Sequence, residues 1–301
     1  MRRTVTEWRL RTRTLELGRR TLVCGVVNIT PDSFSDGGLF LDPEAAITHG
    51  ISLLDEGADL LDLGAESTRP GAQVGSAESP AVSPGQEQAR LLPVLEGILA
   101  AKPDALISVD TYKATTARAA VAAGAEIVND VSGLFWDPEM AATCAEAGCG
   151  VVLMHTRGKP EEWRAQPRLA ADEVLAMVRV GLEASLAKAA QAGIAPERIV
   201  LDPGYGFGKK FDENFALLER QSELLSLGRP LFIGVSRKSF LGRALASLYG
   251  GRDARVGARE TASVAAMVAA ILNGASVVRV HAVRAAVQAA LVADEVVKSR
   301  D

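Results

Sequence analysis

TLVCGVVN, residues 21–28, is a β-branched apolar run that ends on an asparagine, and the rest of the chain repeats its pattern. Apolar runs also close on Glu66 (LLDLGAE), Asp110 (LISVD), Asn129 and Asp130 (EIVND), His155 (GVVLMH), Asp202 (IVLD), Ser236 (PLFIGVS) and His281 (SVVRVH). Ala/Leu-rich stretches of helical period lie between them, at 43–56, 87–101, 114–123, 138–147, 169–192, 214–226, 259–273 and 284–298. Eight strand–helix units predict an α/β fold, a (β/α)8 TIM barrel. Such barrels hold their ligands at the carboxyl ends of the strands, so the polar strand ends predict a site as well as a fold.

The organisation around this repeat is simple. Residues 1–20 alternate polar and apolar side chains (Val5, Trp8, Leu10, Leu15, Leu17), with Gly18 as a turn candidate. They predict a short N-terminal β-hairpin that plugs the barrel end opposite the site. Residues 21–301 are expected to form one barrel domain, consistent with a chain of 301 residues against about 250 for the fold. Two segments are longer than ordinary connections, 30–40 and 68–85, both rich in Gly, Ser and Pro. Placed after the first and second barrel strands, they lie on the site side, where long loops close over substrates.

Composition narrows the function classes. A hydrophobic content of 48% with 23% charged residues is that of a soluble protein, and a formal charge of −4 provides no basic field for a nucleic-acid backbone. Nucleic acid is therefore not an expected partner. Cys24, Cys144 and Cys149 have no CxxC spacing and read as buried small hydrophobes in a reducing cytosol. The first twenty residues lack the apolar core of a signal peptide, and TASVAAMVAAIL at 261–272 is too short to span a bilayer. A cytoplasmic protein without a membrane partner is expected.

The chemistry concentrates in the strand-end motifs. NITPDSFSDGG at 28–38 offers Asn28 and several side-chain oxygens suited to phosphate or a hard cation, together with Phe34 to cover a ring. ESTRPG at 66–71 places Arg69 beyond the second strand, where a guanidinium can pair with carboxylate or phosphate. Asp110, Asn129 and Asp202 suit a heterocycle: a carboxylate accepts two hydrogen bonds from an amino-pyrimidine edge, and an amide both donates and accepts. Any one of them is equally well read as a helix cap, but three around one mouth are not. DPGYGFGK at 202–209 turns closely around Asp202, with Phe207 as an apolar wall; its glycines lack the GxGxxG spacing of a dinucleotide site. SRKSFLG at 236–242 brings Lys238, a charge or donor for a heterocycle oxygen or a Schiff-base nucleophile. RVH at 279–281 brings Arg279 and His281 to the eighth strand, a common phosphate position in barrels. His155 either reaches the site or anchors its strand. No HExxH or Cys/His cluster has metal spacing, so the metal expected is Mg²⁺ carried by substrate phosphates.

NITPDSFSDGG, ESTRPGA, SVDTY, VNDVSG, DPGYGFGK, GVSRKSFLG and RVH, in this order from about residue 21 to the last helix, resemble the dihydropteroate synthase family of pterin-binding barrels. The resemblance implies a transferase of folate biosynthesis, a cytoplasmic homodimer and sulfonamide target. It would condense 6-hydroxymethyl-7,8-dihydropterin pyrophosphate with p-aminobenzoate, releasing pyrophosphate with the help of Mg²⁺. It further implies pterin contacts from Asp110, Asn129, Met154, Asp202, Phe207 and Lys238, and diphosphate contacts from Asn28, Arg279 and His281, with Asn28 at the metal. Phe34, Thr68, Arg69, Pro70 and Ser239 would shape the aminobenzoate site, and Asn28, Lys238, Arg279 and His281 would form the catalytic set. Three features depart from the family pattern: Ala282 stands where an acid usually follows the histidine, Thr156 follows His155 in place of methionine, and the 68–85 loop is expanded around 76–84. Two other readings remain. A non-catalytic pterin-binding paralogue would be expected to lose loop residues first, yet Asn28, Phe34, Arg69 and Lys238 are all present. A pterin-dependent methyltransferase would have no use for the diphosphate set.

Overall fold

The computed structural model describes residues 3–30, 42–66 and 82–299. A two-stranded antiparallel hairpin, β1 (Thr6–Arg9) and β2 (Thr14–Leu17), precedes eight parallel strands. These are β3 (Leu22–Asn28), β4 (Leu60–Gly64), β5 (Ile107–Asp110), β6 (Ile127–Asp130), β7 (Gly150–Met154), β8 (Ile199–Asp202), β9 (Leu231–Ile233) and β10 (Ala275–Val280). They close in the order β10-β3-β4-β5-β6-β7-β8-β9, the barrel expected from the repeat. The surrounding helices are α1 (Pro43–Asp55), α2 (Pro84–Ala101), α3 (Ala114–Ala122), α4 (Met140–Ala147), α5 (Ala171–Gln191), α6 (Phe211–Glu219), α7 (Ser239–Ala244), α8 (Glu260–Leu272) and α9 (Val283–Lys298).

Two apolar assemblies hold these layers. One joins outward-facing strand residues such as Val23, Leu61, Val109 and Val151 to the buried faces of the helices. The other fills the barrel's amino-terminal end: Trp8, Leu10 and Leu17 of the hairpin region pack on Leu22, Cys24, Leu60, Leu106, Ile127, Val152, Val200, Phe232 and Val277. Trp8 is completely buried and donates its indole N–H to the Arg198 carbonyl at 2.9 Å, so the polar end of a large apolar ring is satisfied. The hairpin thus closes the end opposite the strand carboxyl termini. It turns at residues 10–13, where Leu10 N–H donates to Arg13 O, and not at Gly18. Gly18, with φ +101°, lies after β2, where the chain leaves the hairpin for the barrel.

Several boundaries differ from the periodicity for identifiable reasons. Helix α2 begins three residues before position 87, because Ser83 caps it reciprocally with Gln86 and Pro84 occupies the first turn. The stretch expected as one helix at 214–226 is α6, starting at Phe211, followed by a 3₁₀ segment, Gln221–Leu227. Buried Gln221 accepts from Tyr205 OH and donates to the Ala270 carbonyl, which fixes the chain where the α-helix stops. Helix α7, only six residues long, has too few residues to display a period. All three cysteines are buried, as expected of small core residues.

Candidate active site

Alternation along the strands carries the site. Residues two apart point to the same side of a strand, so Leu60 and Asp62, Leu106, Ser108 and Asp110, Ile127 and Asn129, Val200 and Asp202, and Val277 and Arg279 form inward-facing ladders. Each ladder is apolar where it meets the hairpin and becomes polar toward the strand's carboxyl end. The mouth above holds a cavity of ≈ 330 Å³ lined by Asn28, Glu66, Asp110, Lys238, Arg279 and His281 among others. Phe207 and Ser239 also line it. Asn129, Met154 and Asp202 are buried, with 7%, 5% and 6% exposure, at the ends of their strands. Phe34, Thr68, Arg69 and Pro70 lie outside the described residues.

Arg279 is the hub. Its Nε donates to Asp62 Oδ2 at 2.6 Å and its Nη2 to Asp110 Oδ2 at 2.8 Å. Burial works against the guanidinium charge, but Asp62 and Asp110 more than offset it and hold the pKa above the ordinary arginine value. Asp110 behaves in the opposite way. Burial pushes its carboxyl up to about 7; Arg279 and Lys238 pull it down, while Asp62 and the more distant Glu87 push it further up. Asp202 is raised by burial to about 6, against the lowering effects of the Gly204 N–H, Lys238 and Lys209. The mouth therefore holds two carboxyl groups that ionise near neutrality, facing two fixed cations, a charge pattern typical of functional sites.

The loop after β8 is fastened from below. Asp202 Oδ1 accepts the Gly204 N–H at 2.7 Å. Gly204 has φ +68°, and a Cβ there would lie 1.9 Å from the His155 carbonyl oxygen, so no other residue fits without moving β7. The Lys209 ammonium, buried, donates to the carbonyls of Gly204 (2.7 Å), His155 (3.3 Å) and Phe207 (3.3 Å). Phe207 in turn lies under Lys238, whose Nζ is 3.9 Å from the ring centroid. His155 is buried, and burial followed by Lys209 holds its imidazole well below the usual range, so the ring is neutral, with its Nδ1 buried and unpartnered among the described residues.

Ser236 settles how the histidine of the eighth strand is held. Its Oγ accepts the His281 backbone N–H at 3.3 Å and lies 3.0 Å from His281 Nδ1. The hydroxyl has both a proton and a second lone pair for Nδ1, so it holds the ring in place in either tautomer. The orientation that Ala282 cannot supply comes from the neighbouring strand. At the second loop, Glu66 pairs with Lys113 and accepts from Tyr112 OH at 3.2 Å, and Lys113 also donates to Glu87 at 3.0 Å. Asp62, Lys209 and Lys113 were not among the expected site residues. Asp62 left a signal in the sequence, a charge inside the apolar run LLDLG, whereas Lys113 and Lys209 look like surface lysines until the loops are folded over them.

The family model described as pterin binding enzyme matches residues 24–281. The chain belongs to the pterin-binding enzyme family. Within that family its relatives are dihydropteroate synthases, transferases of folate biosynthesis, as the seven motifs implied. The dihydropteroate synthase of Mycobacterium leprae is 45% identical over 269 residues, 89% of this chain and 90% of the relative. Among solved pterin-binding enzymes, the Xanthomonas albilineans dihydropteroate synthase with 4-aminobenzoic acid superposes with a TM-score of 0.83 at 41% identity, covering 97% of this chain and 98% of the other. The same enzyme in complex with 7,8-dihydropteroate gives 0.79 at 39% identity, covering 96% and 98%.

Proposed function

We propose that this chain joins 6-hydroxymethyl-7,8-dihydropterin pyrophosphate to p-aminobenzoate, releasing pyrophosphate and 7,8-dihydropteroate. The observation that carries the reading is the meeting of two near-neutral carboxyl groups, Asp110 and Asp202, with Lys238, Arg279 and His281 at one barrel mouth in a chain of this family. The ionised carboxylates accept from the amino-pyrimidine edge of the pterin, Asn129 reads a further edge atom, and Lys238 donates to a ring oxygen or nitrogen while resting on Phe207. Met154 contributes an apolar wall. Arg279 and His281 take the diphosphate, with Asn28 beside it at the end of β3. Ser239 lines the same cavity and suits the carboxylate of p-aminobenzoate, together with Phe34, Thr68, Arg69 and Pro70 from the two long loops.

The residues present fit Mg²⁺ bound chiefly through substrate: Asn28 offers a neutral oxygen, and the described residues hold no cluster of three acidic, His or Cys side chains that would form a complete cage. Bound there with the diphosphate, the ion would supply neutralising charge to the leaving group. The chain's own part follows from its charges. Arg279 and His281 stabilise the electron pair that leaves with pyrophosphate when the exocyclic C–O bond breaks. The electron-rich dihydropterin delocalises the positive charge on the exocyclic carbon. The aniline nitrogen of p-aminobenzoate then forms the C–N bond and gives its proton to water or to the departing pyrophosphate. No protein nucleophile enters, and Lys238 serves as a donor and not as a Schiff base.

The test is to mix purified protein with Mg²⁺, the pterin pyrophosphate and p-aminobenzoate, and to follow pyrophosphate and dihydropteroate separately. Dihydropteroate that disappears when either substrate is omitted is the expected result. Tight pterin binding with neither product would identify a non-catalytic paralogue and overturn the proposal. We also take the working form to be a homodimer, supported by small and apolar side chains left exposed on α8 and α9, including Ala265, Leu291 and Val292.

A further inference from the structure

Asp62 is wholly buried in the middle of β4, and a carboxylate in that position is costly unless its charge is compensated. Both compensating bonds fall on one oxygen: Oδ2 accepts from Arg279 Nε at 2.6 Å and from Asn129 Nδ2 at 2.9 Å. Neither partner is a neighbour in the sheet. Strand β4 pairs with β3 and β5, whereas Arg279 sits on β10 and Asn129 on β6, each two strands away in opposite directions. Asp62 therefore spans the lumen directly beneath the mouth and ties its two sides together.

The chemistry of the bonds fixes what each partner can show a ligand. An ionised carboxylate only accepts, so Asn129 must turn its NH₂ toward Asp62, and the amide oxygen is left as the atom directed elsewhere. Without that partner the two ends of the amide are nearly equivalent in shape and the group can flip. Arg279 is held at Nε, the inner side of its fork, while its terminal Nη2 rests on Asp110. Held in this way, the guanidinium can yield Asp110 to a heterocycle and turn its terminal nitrogens to an anion without losing its buried counter-charge.

We propose that Asp62 is a positioning residue, which fixes the amide of Asn129 and the inner edge of Arg279 and so sets the hydrogen-bond pattern offered to the pterin. The proposal rests on the reading of Asn129 and Arg279 as pterin and diphosphate contacts. Removing the charge leaves Arg279 with Asp110 as its remaining carboxylate partner among the described residues. That pair tightens, and a pterin must break it to reach Asp110.

The experiment compares the wild-type protein with Asp62→Asn, Asn129→Ala and the double variant. It reads the dissociation constant of 6-hydroxymethylpterin, which carries no diphosphate, and the KM of each substrate separately. Asp62→Asn should weaken the pterin and raise the KM of the pterin pyrophosphate by about 10- to 100-fold, the scale of a buried hydrogen-bond arrangement lost. The KM for p-aminobenzoate should stay within about twofold. Adding Asn129→Ala to Asp62→Asn should cost less than about threefold more, because the amide has already lost its orientation.

A merely structural role would lower the melting temperature and the active fraction, leaving the pterin affinity of the folded protein within twofold of wild type; that result overturns the proposal. Should Asp62→Asn fail to fold, Asp62→Ser, which removes the charge from the same place, decides the matter. A folded Asp62→Ser that binds pterin within twofold of wild type also overturns the proposal. Wild-type pterin affinity in Asn129→Ala would sink the reading of the site together with this inference. A weakened Asn129→Ala beside a silent Asp62→Asn would sink the inference alone.

Discussion

Asp110 carries the sharpest pH consequence at the level of single residues. The charged groups facing it are Arg279 on β10, Asp62 on β4, Lys238 after β9 and Glu87 on α2, and burial outweighs the two cations to leave it near 7. A pterin edge that donates two hydrogen bonds needs the ionised form, so pterin affinity should rise between about pH 6 and 8, and binding at pH 6 should release protons. Calorimetry at pH 6 in buffers of different ionisation enthalpy measures that release directly; no buffer dependence would contradict the role given to Asp110. The same shift has a stability side. A carboxyl whose folded pKa lies above its unfolded value binds more protons in the native state, so its contribution declines as pH rises from about 4 toward 7. Asp110→Asn should therefore gain stability at pH 8, by about 2–4 °C in melting temperature, and gain little at pH 4, while losing pterin binding. Ser236→Ala tests a neighbouring claim. Deprived of its Oγ partner, His281 loses its orientation, and kcat/KM should fall by about 5- to 10-fold, the worth of one ordinary hydrogen bond, with the fold unchanged by circular dichroism.

Among elements, the N-terminal hairpin shows how function and stability are separated along the barrel axis. Trp8, Leu10 and Leu17 seal the end where the strands begin; the indole is satisfied by the Arg198 carbonyl, and the Arg198 guanidinium donates to Leu10 O at 2.7 Å. Truncating Trp8 to alanine should cost roughly 3–5 kcal/mol, the usual scale for a buried aromatic. Substrate KM values of the remaining folded protein should stay within about twofold, since the site lies at the opposite end. Thermal unfolding and steady-state kinetics on one preparation check both halves, and an altered pterin KM would mean that the two ends communicate. The same elements indicate what was legible in the sequence. Barrel strands were readable because each is an apolar run stopped by a polar residue, and the stop marks the strand's carboxyl end at the mouth, as at Asn28, Asp110 and Asp202. Helix edges were less readable where a tertiary bond decided them: nothing local to residues 214–226 announces that Gln221 is claimed by Tyr205 and the Ala270 carbonyl. Asp62 was visible as an oddity in LLDLG, but its partners lie 67 and 217 positions away, a pairing that exists only after the barrel closes.

At the scale of the whole molecule, the remaining apolar surface decides how the barrel is used. Helices α8 and α9 pack against each other and bury Ala266, Ala270, Ala286 and Ala290, yet Leu291 (62%), Val292 (67%) and Val296 (43%) on α9 stay open to solvent, with Ala265 exposed on α8. Scattered single apolar residues are normal on a surface, but three within six positions of one helix, beside an alanine-rich neighbour that permits close approach, mark a face suited to a second copy. Light scattering at micromolar concentration should give about twice the 31.6 kDa chain mass. Val292→Glu places a charge in that face and should shift the protein to monomer, because an unpaired carboxylate buried at an interface costs several kcal/mol. The cavity at the mouth is lined by residues of one barrel, on strand ends remote from Val292 on α9 in sequence and element. A Val292→Glu monomer should therefore bind pterin with wild-type affinity, and pterin titration of the separated monomer measures this. A wild-type protein that runs as a clean monomer would remove the dimer from the proposal, and loss of pterin binding on dissociation would mean that the partner copy supports the mouth.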